Sequence, residues 1–98
     1  MKQGDLAPKL TINTNADVTG ATSKVAKMRR WHTTTVLTKT LTTVGDPTLG
    51  DLEYQWVAPD TDIAGNYYVE AVITYADGRV QRFPGGHHLE FRIGPKVG

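Results

Sequence analysis

DTDIAGNYYVEAVITYADG occupies residues 60–78, and its order decides the fold. Aspartates open it, Ala64-Gly65 lead into paired tyrosines, and an apolar alternation then runs to Asp77-Gly78. Tyr67, Val69, Ala71, Ile73 and Tyr75 share one parity, while Tyr68, Glu70, Val72 and Thr74 take the other. A period of two over this length predicts a strand with one buried face. Asp-Gly after such a strand signals a tight hairpin, so Asp77 and Gly78 are assigned to its turn.

The same period holds outward from this stretch. Leu10 and Ile12 alternate with polar residues after Pro8, and Asp17 to Gly20 reads as a turn. Ser23 to Trp31 carries Val25 and Met28 at odd spacing, which suggests a strand with a bulge. Thr33 to Val44 is rich in threonine and β-branched residues and reads as a strand. Its inward face is ambiguous, because Val36 and Leu37 are adjacent. Gly45-Asp46-Pro47 and Gly50-Asp51 bracket a loop. Leu52, Tyr54 and Trp56 alternate cleanly up to Pro59, which ends that strand. Arg79 to Phe83 returns from the hairpin, Pro84-Gly85-Gly86 interrupts, and Leu89, Phe91 and Ile93 form a last strand. No segment carries a helical stripe. The expected architecture is all-β, an antiparallel β-sandwich of about seven strands. The domain is placed at residues 8–93, with an N-terminal arm at 1–7 and a flexible tail at 94–98.

The chain has 98 residues, which predicts one domain with a modest core. Eleven Lys and Arg stand against ten Asp and Glu. That balance argues against a general nucleic-acid binder, which is usually strongly basic. Cysteine is absent, so disulfides and thiolate metal sites are excluded. The first residues lack the apolar run of a signal peptide, and no stretch reaches transmembrane length. The chain therefore reads as a complete intracellular product beginning at Met1, and synthesis in a bacterial cytoplasm is compatible with this.

Asp62-Ile63-Ala64-Gly65-Asn66-Tyr67 resembles the tyrosine corner of immunoglobulin-like sandwiches. There a loop crosses between sheets, and a tyrosine hydroxyl bonds back to the backbone just upstream. Asp62, Ala64, Gly65 and Tyr67 are the corner residues this implies. Trp56 lies just before the loop, not on an early strand as in antibody domains. A wider pattern is similar to small immunoglobulin-like domains of tailed-bacteriophage proteins, including the N-terminal domain of baseplate upper proteins. Thr19-Gly20-Ala21 opens a strand with a basic end at Arg29-Arg30. Tyr54 and Trp56 form a Tyr-x-Trp strand. The corner, the Thr74 to Gly78 hairpin and Phe83-Pro84 follow in order. The likeness spans residues 17–84, and "TSKVAKM" at 22–28 departs from its alternation. The resemblance implies a non-enzymatic virion structural protein, without placing it in the virion; a tail, baseplate or neck component is the expectation adopted. Its partners would be other virion proteins and copies of itself. From charge, apolar patterning and residue spacing, no cofactor, nucleic acid, membrane or small-molecule substrate is expected. The alternatives are capsid decoration, or a carbohydrate- or receptor-binding module using Trp31 or Tyr68.

Side-chain chemistry adds little that competes. His87 and His88 are adjacent, so on a strand they face opposite sides and do not chelate one ion. Asp60 and Asp62 lack the spacing and closing glutamate of a calcium loop, and turn chemistry explains them better. KVAKMRRWH, residues 24–32, is the one basic cluster. It could grip phosphates with Trp31 stacked on a base, or merely blunt a strand edge. Arg29, Arg30 and Trp31 are instead assigned as a protein contact, because Arg and Trp concentrate in interface hot spots. No nucleophile stands beside a base, and no paired carboxylates suggest catalysis.

Overall fold

The computed structural model describes residues 1–86 and 89–97. Eight strands occur among the described residues: β1 (Leu10–Asn13), β2 (Ala21–Arg30), β3 (Val36–Thr40), β4 (Thr42–Thr43), β5 (Asp51–Tyr54), β6 (Gly65–Tyr75), β7 (Val80–Phe83) and β8 (Leu89–Ile93). The smaller sheet has the order β1-β5-β4, and the larger has β3-β2-β6-β7 with β8 also paired to β6. Every strand pairing is antiparallel. The path crosses between sheets after β1, β3 and β5, and turns back within a sheet after β2, β4 and β6. That is the immunoglobulin connectivity, with β1, β5 and β4 at the B, E and D positions and β3, β2, β6 and β7–β8 at C′, C, F and G.

The predicted strand at 33–44 is two strands, and the reason is local. Leu41 is buried, and its N–H donates to the Lys24 carbonyl of the larger sheet at 2.8 Å. Three residues on, the Val44 N–H bonds the Asp51 carbonyl of the smaller sheet. The chain changes sheets at Leu41, so one parity cannot describe both halves. The bulge expected within residues 23–31 is absent. The β2–β6 register is unbroken from Ser23 to Arg30, and Ala26, not Val25, shares the buried face with Met28. A register shift lies instead at the start of β2. Ala21 pairs with Tyr75 and Ser23 with Thr74, leaving Thr22 unmatched.

The core lies between the sheets. Ala26 and Ala71 face each other across β2 and β6, both fully buried. Their small side chains leave room for the larger Leu52, Ile73, Met28 and Trp56 in the same cluster. An aromatic chain continues toward one end. The Trp56 ring sits 5.5 Å from Tyr54 and 5.6 Å from Phe91, and Phe91 stacks on Tyr67 at 5.1 Å. Trp56 reaches this position just after β5 ends. With no inter-sheet disulfide, these rings bridge the layers.

Residues 1–7 lie against their own domain. Lys2 forms a parallel bridge with Gly94, and the Gln3 N–H donates to the Gly94 carbonyl. The Thr61 hydroxyl donates to the Asp5 carbonyl at 2.8 Å, and the Gly4 N–H bonds the Thr61 carbonyl. The segment placed outside the domain as an N-terminal arm is thus held by the chain just past β8 and by the β5–β6 loop. Beyond it, the Lys96 N–H reaches the Gln3 side chain at 3.4 Å.

Candidate protein-interaction face

Alternation along β2 divides the basic cluster. Arg29 pairs across to Tyr68 and lies on the outer face of the larger sheet. Its guanidinium stands 5.6 Å from the centre of the Tyr68 ring. Trp31, two residues on, returns to that face with its ring 5.7 Å from Tyr68. The Trp31 N–H donates to the Asn66 carbonyl, which holds it beside β6 past the end of β2. The sharp turn that follows puts His32 at φ 63°, its ring edge-on to Trp31. Val36 on β3 completes the row beside Arg29. A shallow recess of about 250 Å³ opens here, lined by Lys27, Arg29, Val36, Tyr68 and Glu70.

Arg30 faces the other way. Its stem passes under Gly65, where an added Cβ would meet Arg30 Cδ at 2.8 Å. The three residues assigned to one contact are therefore split, with Arg29 and Trp31 on the outer face and Arg30 at the corner. Tyr68, considered in the sequence only as a stacking platform, is the residue they share.

The corner has the expected geometry. The Tyr67 hydroxyl donates to the Ile63 carbonyl at 2.7 Å, and the ring is buried. Burial pushes its hydroxyl pKa up, against a smaller opposing pull from the Arg30 charge. Gly65 has φ 150°, a conformation that side chains avoid, and its bare Cα lets Arg30 pass. Ala64 is half-buried beside it. Asp62 contributes through its backbone, accepting from Gln3 Nε2 at 3.0 Å and donating to the Pro59 carbonyl. In the hairpin, Gly78 takes φ 88°, and Asp77 accepts from the Arg79 N–H and Nε. The Arg79 amide is the main cause that lowers the Asp77 pKa.

One cluster escaped the sequence reading. Lys39 Nζ lies 2.8 Å from Asp60 Oδ1, and the Tyr54 hydroxyl donates to Asp60 Oδ2 at 2.6 Å. The Val57 N–H adds a third bond at 2.9 Å. The Asp60 side chain is only 5% exposed. Burial favours its neutral form, but the Lys39, Tyr54 and Val57 bonds together outweigh this and lower its pKa. Burial, followed by the bond to Asp60, pushes the Tyr54 hydroxyl up to about 12. The turn role foreseen for Asp60 is real, yet it also ties β3 to β5 across the layers. Lys39 shares its parity with Leu37 and Leu41, and an inward lysine between two leucines was the available signal.

Among the described residues, no three His, Asp or Glu side chains gather where they could hold a metal ion. The histidine pair at 87–88 lies outside the described residues. No helix among the described residues is long and apolar enough to cross a membrane. No protein-family model, curated protein or solved structure matches the chain.

Proposed function

We propose that this domain is a non-enzymatic assembly module of a bacteriophage particle, working as a tail, baseplate or neck component. The observation that carries the reading is the outer-face group of Arg29, Trp31 and Tyr68. Trp31 is 40% exposed, and Val36 beside it is 53% exposed. Aromatic and arginine side chains gathered around a recess have the composition of an interface hot spot. The phage setting rests on the ordered likeness over residues 17–84, and the sandwich architecture is compatible with it.

A carbohydrate- or receptor-binding role draws on the same two rings. Arg29 weighs against it, because its guanidinium lies over the Tyr68 face on which a sugar would stack. A protein partner needs no cleared ring. It can meet guanidinium and indole together. Capsid decoration would use the same contact at a different place in the particle.

The test is a pair of variants on the outer face, Arg29→Glu and Trp31→Ala, in the phage that encodes the protein. Both positions are exposed, so stability should shift by no more than about 0.5–1 kcal/mol. Incorporation into particles should fall for each. Normal incorporation of both folded variants would remove this face from the account.

A further inference from the structure

We infer that β3 is an open pairing edge, and that its partner is β3 of a second copy, joined antiparallel about a two-fold axis at Thr38. The partner's identity rests on the assembly reading above. The availability of the edge does not.

The edge is defined by the ladder. Leu41 donates its N–H to Lys24, and antiparallel bonds alternate every second residue. Leu37 and Lys39 therefore direct their backbone groups at β2, opposite Met28 and Ala26. Val36, Thr38 and Thr40 direct theirs away from the sheet, where β3 has no neighbouring strand among the described residues. The register with β2 is unbroken from Val36 to Thr40, so no bulge twists this edge aside.

Natural edges are usually guarded by charge, proline or a bulge. β3 reads VLTKT and has neither proline nor bulge. Its single charge, Lys39, is drawn inward to Asp60. Val36 and Leu37 stand 53% and 39% exposed. On the opposite side of this sheet, residues 1–3 cover only the chain at Gly94 beyond β8. There β7 is also an edge, but one that carries the exposed charge of Arg82.

Self-pairing fits the side chains. A two-fold axis at Thr38 sets Val36 against Thr40 of the second copy, Thr38 against itself, and Leu37 against Lys39. Every outer-face pair is then β-branched, which suits cross-strand packing. No lysine opposes a lysine. About six backbone hydrogen bonds would form across the axis. Strands of five residues bury too little for a tight dimer, so the contact belongs to the weak class below about 1,200 Å². It would operate at the high local concentration of an assembly.

The test compares two double variants by sedimentation equilibrium at up to about 1 mM protein, where a weak contact is populated. Val36→Glu with Thr40→Glu places like charges opposite each other twice across the axis. Val36→Glu with Thr40→Lys places opposite charges there instead. All changes are on exposed side chains, and thermal melts check that both variants fold. The wild type should dimerise and broaden the amide signals of Val36, Thr38 and Thr40. The like-charge variant should weaken the dimer about tenfold or more, and the opposite-charge variant should retain it. A wild type that stays monomeric overturns the proposal, as does a dimer that both variants leave unchanged. Either result leaves the assembly reading to be judged separately, by the protein's presence in particles.

Discussion

The carboxylate of Asp60 and the ammonium of Lys39 meet at 2.8 Å between the two sheets, twenty-one residues apart in sequence. Lys39 belongs to β3 and Asp60 to the β5–β6 loop, so the pair fastens the β3 edge to the opposite layer. Asp60→Ala would leave Lys39 without its partner and Tyr54 without its acceptor. The expected cost is about 3 kcal/mol, at the low end for breaking a buried pair because Lys39 is partly open to water. A denaturant midpoint close to the wild type would show that the pair is only incidental.

Acid should act through the same carboxylate. The Asp60 pKa is lowered in the folded state, so its contribution is present above the unfolded value of about 4. It is lost as pH falls through the lower folded value. Stability measured from pH 6 down to 2 should decline, and Asp60→Asn should flatten that decline. Alkali acts on Tyr54 with the opposite sign. Its folded pKa is raised to about 12, so its contribution is full below the unfolded value near 10 and is lost between them. Tyr54→Phe should remove part of the alkaline limb.

Tyr67→Phe deletes only the hydroxyl that bonds the Ile63 carbonyl. The ring stack on Phe91 survives. A loss of about 0.5–1.5 kcal/mol is expected in chemical denaturation, the usual net worth of one such bond. No measurable loss would mean that the corner is held by ring packing alone.

Two glycines separate backbone conformation from contact. Gly45 and Gly50 have φ 67° and 73°, both left-handed. An added Cβ at Gly45 meets nothing, whereas at Gly50 it runs into the Thr14 hydroxyl and the Ala16 backbone. Gly45→Ala should cost about 1 kcal/mol from conformation alone. Gly50→Ala should cost about 2–4 kcal/mol, because overpacking adds to the same penalty. Equal losses would show that the Thr14–Ala16 turn yields freely.

Local chemistry made much of this readable in the sequence. The corner at Asp62 to Tyr67 and the turn at Asp77-Gly78 are written in consecutive residues, and β6 is long enough for its alternation to be unambiguous. The sheet change at Leu41 was not readable, because a strand that switches layers presents different parities before and after the switch. The Lys39–Asp60 pair joins separate elements, and only the inward parity of Lys39 hinted at it. The outer-face group was half visible. The residue types were picked out at Arg29, Arg30 and Trp31, but strand alternation sends Arg30 to the corner and brings Tyr68 in from β6.

If the chain is a phage product, as proposed, quantitative mass spectrometry of the purified particles tests the central claim most directly. The account predicts this chain in those particles at a fixed, repeated copy number, retained through density-gradient purification. Its absence from intact particles, with the protein present in the infected cell, would contradict assembly as its function.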